Sequence, residues 1–201
     1  MPKITPAAAL LTLCLAAGGC SHEPMAEDLA AEWAGVLDAK RAWKDAGGDV
    51  EARQRYVETL RAFVDRHPGH ARAREVYEKV ELDFAERLAS RGDYDGAIRY
   101  YRSVLETNPR NVAARDGLAE AERKRFVSAE AVRALEKGMS AEQVAQRLGR
   151  PFPGWSRRLV RGPHVTESWY YRRADGGLAA VFFRDGRLFA AELEGPVRLA
   201  R

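Results

Sequence analysis

Cysteine occurs only twice in the 201 residues, at Cys14 and Cys20, and histidine only four times. A disulfide scaffold needs paired cysteines, and a thiolate metal site needs several close together, so both are excluded. The histidines, His22, His67, His70 and His164, are scattered and none accompanies a cysteine nucleophile. The glycine-rich phosphate loop, the zinc-protease helix and the serine nucleophile elbow are also missing. Carboxylates abound, but no pair stands apart from a background in which 31% of residues are charged. These absences argue against an enzyme and against any cofactor or resident metal. The two closest imitations of a metal site are weak. His67 and His70 flank a Pro-Gly turn with no third ligand nearby, and Asp93 and Asp95 lack the further oxygens of a calcium loop. No apolar run is long enough to span a bilayer, which takes about 20 residues.

The most apolar stretch, Ala7 to Ala17, has eleven residues and follows a single charge, Lys3. It reads as a secretory signal, residues 1–19, outside the folded protein. It ends Leu15-Ala16-Ala17-Gly18-Gly19-Cys20. Small residues directly before a cysteine resemble the bacterial lipoprotein box, although Ala17 stands where leucine is usual. The resemblance implies that Cys20 becomes the acylated first residue of the mature chain. It implies a lipid anchor, and Ser21 in the next position implies the outer rather than the inner membrane. Residues 20–25 would be the lipidated tether. A lone thiol in an exported protein is otherwise awkward.

From 26 to 127 the pattern is helix after helix. Expected helices cover Ala26–Asp45, Val50–Arg66, Ala71–Arg91, Tyr94–Thr107 and Asn111–Phe126, broken at Gly47-Gly48, His67-Pro68-Gly69, Arg91-Gly92-Asp93 and Asn108-Pro109. Within it, Gly92, Tyr94, Ala97, Tyr101 and Pro109 fall at the small, aromatic and proline positions of a tetratricopeptide (TPR) repeat, which this stretch resembles. Ala97 lets the paired helix approach, and Tyr101 with Leu105 forms an apolar seam. Where the preceding helix of such a repeat carries an early tryptophan, this chain has Glu81, with Leu82 and Phe84 beside it. Upstream, Leu60, Phe63 and Pro68 repeat the pattern weakly, with Trp33 and Leu37 packing from the first helix. The prolines are 41 residues apart, against about 34 in a regular repeat. The charges here nearly cancel, 19 Lys+Arg against 20 Asp+Glu.

The stretch Leu135 to Pro151 then joins two short helices by an elbow, Gly138-Met139-Ser140. Gly138 suits a left-handed helix stop, Ser140 and Gln143 suit a capping box, Val144 and Leu148 share one face, and Gly149 with Pro151 ends the second helix. Beyond an Arg-rich loop, three strands are expected over Thr166–Arg172, Leu178–Arg184 and Arg187–Glu194, with turns at Asp175-Gly176-Gly177 and Asp185-Gly186. The succession Lys-Gly-Met-Ser, Leu-Gly-x-Pro, Trp169-Tyr170-Tyr171 and Val181 to Leu188 resembles the SmpA/OmlA (BamE-like) family of outer-membrane lipoproteins, over residues 128–193. This chain has Arg150 where the family usually has threonine. The resemblance implies a small domain of two helices and three strands over 128–201, and a role beside the β-barrel assembly machinery. The fold class expected for the whole is therefore α+β, a TPR-like helical solenoid over 26–127 followed by an antiparallel sheet.

A two-residue turn at Asp185-Gly186 pairs Phe183 with Leu188 and Phe182 with Phe189. One face then holds Leu178, Ala180, Phe182, Phe189, Ala191 and Leu193 and is expected to cover the elbow helices. The other, with Val181, Phe183, Leu188 and Ala190, is apolar as well and needs a second partner, either the helical stalk or another protein. Charge is uneven here, 13 Lys+Arg against 8 Asp+Glu over residues 128–201. Trp155, Arg157, Arg158 and Arg161 form a basic aromatic loop suited to anionic phospholipid, and nucleic acid does not suit an exported protein. The candidate binding residues are thus Trp155, Arg157, Arg158, Arg161, Val181, Phe183 and Leu188, with Cys20 for lipidation. Three roles are compatible: an assembly factor of the outer membrane, a pilotin-like lipoprotein of a secretion or pilus apparatus, and a periplasmic module binding lipid or a small molecule.

Overall fold

The computed structural model describes residues 27–47 and 49–194; the signal, Cys20 and the tether lie outside them. Five helices come first: α1 (Glu27–Asp45), α2 (Val50–Arg66), α3 (Ala71–Ser90), α4 (Tyr94–Thr107) and α5 (Val112–Arg125). Each of α2 to α5 begins on a side chain that accepts from an amide of its first turn: Asp49, His70, Asp93 and Asn111. Such caps are favourable by about 1 kcal/mol each. His70 is thereby explained as a helix cap, and His67 contacts Glu32 at 3.0 Å. Both histidines also pack on the Phe63 ring.

The helices form two hairpins and a closing helix around two apolar clusters. Trp33, Tyr56, Leu60, Phe63 and Tyr77 fill the first. Leu37 is exposed and Val36 takes the place expected for it. The second holds Tyr94, Ala97, Ile98, Tyr101 and Val104. Gly117 of α5 is obligatory there, because a Cβ would strike the Tyr101 ring.

Only two residues, Phe126 and Val127, separate α5 from Ser128, the N-cap of α6 (Ala129–Arg133). This first elbow helix stops at Arg133, five residues before Gly138, because Gly138 serves the elbow itself. There its N–H donates to the Leu188 carbonyl, and the Leu188 N–H donates to the Met139 carbonyl, each at 2.8 Å. Next, α7 (Ala141–Leu148) carries the full capping box of Ser140 and Gln143 and ends on Gly149 at φ 86°.

The sheet has four antiparallel strands in the order β1-β2-β3-β4: β1 (Ser156–Arg161), β2 (His164–Arg172), β3 (Leu178–Arg184) and β4 (Arg187–Glu194). The expected Arg-rich loop is therefore corrected to a hairpin. Gly162 and Pro163 form a two-residue turn, with Gly162 at φ 58°, a conformation that glycine adopts without strain. The protein is α+β, as its pattern requires.

The face assignment of the sheet is also corrected. A bulge between Phe182 and Phe183 pairs Phe183 with Leu188 but Phe182 with Ala190, which leaves Phe189 as the extra residue. The face toward α6 and α7 is formed by Trp169, Tyr171, Ala179, Val181, Phe183 and Leu188, packed on Val132, Met139, Val144 and Leu148. Val181 and Phe183 are fully buried. They are this unit's own core, and neither the stalk nor a partner covers them. Trp169 pairs with Val181 across β2 and β3. Trp169 and Tyr171 thus bury their rings on this face, which removes much apolar area from water, and Tyr170 between them points the other way.

Candidate functional site

Three places combine exposure with unused chemistry: a groove in the helical part, the seam between the two parts, and the β1–β2 hairpin.

The groove lies among α2, α3 and α4. One recess of about 420 Å³ is lined by Arg53, Val57, Arg61, Tyr77, Glu81, Phe84 and Tyr100 among others. A second, of about 280 Å³, adjoins it and shares Arg61 and Tyr77. Phe84 and Tyr100 stack at 5.1 Å with an interplanar angle of 11°, making an aromatic shelf. Arg53 lies over the Phe84 ring and faces Trp43 as well. Its Nε is buried with no hydrogen-bond partner, and no carboxylate among the described residues forms an ion pair with it. Burial, then Arg87 beside it, lowers the pKa of the guanidinium from the ordinary arginine value. An arginine with an unused donor in a partly dry groove has the chemistry to receive a carboxylate.

Glu81 is the only buried charged side chain among the described residues, 3% exposed. Burial raises its pKa above the usual carboxylate value, opposed by the Ser103 hydroxyl, Arg61, the Tyr77 hydroxyl and Arg53. The Tyr77 and Ser103 hydroxyls hydrogen-bond one another at 2.7 Å beside it. The position where a regular repeat keeps a tryptophan is thus a buried carboxyl at the floor of the groove.

The seam joins the start of α4 to the loop after α7 and to the end of β2. The Arg150 N–H donates to the Tyr94 hydroxyl at 2.9 Å, and the Tyr171 hydroxyl donates to the Gly149 carbonyl at 3.0 Å. Asp95 pairs with both Arg172 and Arg125. Burial raises the Asp95 pKa, but Arg172 and Arg125 outweigh it and hold the carboxyl below the usual aspartate value. Asp95 is therefore more than part of a repeat turn, while Asp93 is the α4 cap. Gly92 and Gly149 are required here, since a Cβ on the first would strike the Pro151 carbonyl and on the second the Tyr94 hydroxyl.

The hairpin carries four of the sequence-selected residues. Trp155 is half-buried and lines a small cleft at the seam with Tyr94, Arg150 and Tyr170. Arg157 and Arg161 alternate with Leu159 on one face of β1, and Arg158 lies with Val160 on the other. The structure thus separates Arg158 from the other three, and places Val181, Phe183 and Leu188 in the core away from all of them.

Sequence reasoning missed Arg53 and Tyr100. The signal for Arg53 was present: it stands three and seven residues before Tyr56 and Leu60, which places a charge beside an apolar stripe.

Helical hairpins that leave an open groove suit the binding of other proteins. The sequence profile of the tetratricopeptide repeat matches residues 78–121, the second half of α3 with α4 and most of α5. No curated protein matches the chain, and no solved structure matches it. The repeat supports protein partners without naming one.

Proposed function

We propose that the protein is a non-enzymatic interaction factor of the bacterial envelope, anchored to the outer membrane through acylated Cys20 and facing the periplasm. Its groove holds an extended segment of a partner protein, and its service is to the assembly of β-barrel outer-membrane proteins. The observation that carries the interaction role is the open groove, with the unpaired Arg53 beside the Phe84–Tyr100 shelf. Those groups suit a segment that offers a carboxylate next to an apolar side chain. The lipoprotein box supports the anchor, and the SmpA/OmlA resemblance of residues 128–193 supports the assembly role. A pilotin-like role uses the same groove and anchor with a secretin as partner.

The test places a photo-crosslinking amino acid at Tyr100 in intact cells. The expected outcome is an adduct with a subunit of the barrel-assembly machinery, reduced about tenfold by Arg53→Glu, together with release from membranes in Cys20→Ala. An adduct with a secretin selects the pilotin reading. Membrane attachment unchanged in Cys20→Ala, or no adduct from the groove, removes the proposal.

A further inference from the structure

We infer that the open edge of β1 is a second docking surface, which adds an extended acidic segment of another protein to the sheet as a fifth strand. It stands apart from the groove and holds whether or not the groove is occupied.

β1 pairs with β2 alone and is the outer strand of the sheet. The Tyr170 N–H donates to the Trp155 carbonyl at 2.9 Å. Bonded and non-bonded pairs alternate along an antiparallel ladder. Hence Arg157, Leu159 and Arg161 point their backbone groups at β2, and the N–H and C=O groups of Ser156, Arg158 and Val160 point outward. No backbone group among the described residues meets them. The opposite edge of the sheet is covered at its two ends by contrast: the elbow bonds to Leu188, and Arg173 donates to the Glu194 carbonyl at 2.9 Å.

The side chains around the open edge specify what completes it. Arg157, Arg158 and Arg161 are exposed, and none forms an ion pair with a described residue. Charge of one sign along an edge prevents a second copy of the same strand from pairing with it. The same charge favours an acidic strand. Leu159 and Val160 are 48% and 61% exposed and point to opposite faces. A bilayer would meet only one of those faces, and would leave Arg158 and Val160 facing away. An added strand alternates its own side chains and reaches both faces, with main-chain hydrogen bonds supplying the affinity. Residues 195–201 carry Arg198 and Arg201 and no acid, so they do not complement this edge.

The experiment uses the full chain, isotope-labelled, and a six-residue peptide alternating Glu and Val, the length of β1. A Lys-Val peptide and vesicles of phosphatidylglycerol with phosphatidylcholine are the comparisons. The expected result is slowed amide exchange at Ser156, Arg158 and Val160 with the acidic peptide alone. Affinity should fall about tenfold or more in Arg158→Glu with Arg161→Glu. It should also fall in Val160→Pro, which removes one outward N–H and leaves every charge, a change that an edge strand accommodates. Peptide binding that leaves those three amides unprotected is charge attraction and overturns the proposal. Binding to anionic vesicles without binding to the peptide assigns the hairpin to the membrane surface and overturns it as well, as does binding to neither. The exchange measurement on the unaltered chain decides the matter should Val160→Pro fail to fold.

Discussion

Glu81 is the residue at which packing and chemistry conflict most. Its neighbours in the first core are aromatic and aliphatic, yet it places a carboxyl at the groove floor. An acid whose pKa is raised on folding is favoured in its protonated form. It costs nothing while both folded and unfolded states are protonated, and its cost grows as pH climbs from the usual value of 4.5 through the raised folded value. Glu81→Gln is therefore expected to raise the thermal midpoint at pH 7, with the advantage shrinking as pH falls and vanishing below the unfolded value. Thermal unfolding followed across that range checks it. An unchanged difference at low pH would assign the effect to packing instead of charge. The residue was visible in the sequence as the wrong side chain at a known repeat position; its depth was not, because the spacing of a degenerate repeat does not reveal how closely its neighbours close over it.

At the scale of elements, the helices and their breaks were legible almost to the residue, since each break carries a proline, a glycine or a capping side chain. The sheet was legible only in part. Three strands announce themselves through aromatic and β-branched residues, whereas β1, Ser-Arg-Arg-Leu-Val-Arg, has a single β-branched residue and three charges, the composition of an edge that faces solvent on both sides. Gly162-Pro163 was a usable turn signal. The bulge at Phe182/Phe183 was not readable, because one extra residue inverts the faces beyond it while leaving the hydrophobic pattern intact. The two sides of the bulge differ in burial. Phe183→Ala is expected to cost about 3–5 kcal/mol, and Phe189→Ala, on the bulge and exposed, less than about 1 kcal/mol. Urea unfolding of the two variants checks the order; equal losses would place the core on the other face.

For the whole molecule, the seam decides whether helical array and sheet behave as one body. Asp95 is its electrostatic centre, bridging α5 and β2 from the first turn of α4. A carboxyl held below its usual value stabilises the fold above that value of 3.8, and the contribution fades as pH drops through the folded pKa. Asp95→Asn is expected to cost about 1–3 kcal/mol at pH 7 and nothing in strong acid. It should also separate a single calorimetric transition into two, which differential scanning calorimetry reads directly. One transition in both proteins would mean that the Tyr94–Arg150 contact suffices to couple the parts. Little in the residue pattern announces this seam, since Asp95, Arg125 and Arg172 are far apart in the chain and each has an ordinary surface role available.

The connection between α5 and α6 is only three residues long, Phe126 to Ser128, and that brevity has a use. With the Asp95 seam intact, the proposed groove and strand-edge sites would be held near one another, so a partner bearing both a carboxylate-containing segment and an acidic strand would meet them at one separation. Once the first is engaged, the second binds at a local concentration set by the partner's own linker. Two individually weak contacts then act as one strong attachment for a client of matching span. A client whose two segments are spaced wrongly gains nothing from the second, and the molecule becomes a gauge of distance as well as of charge.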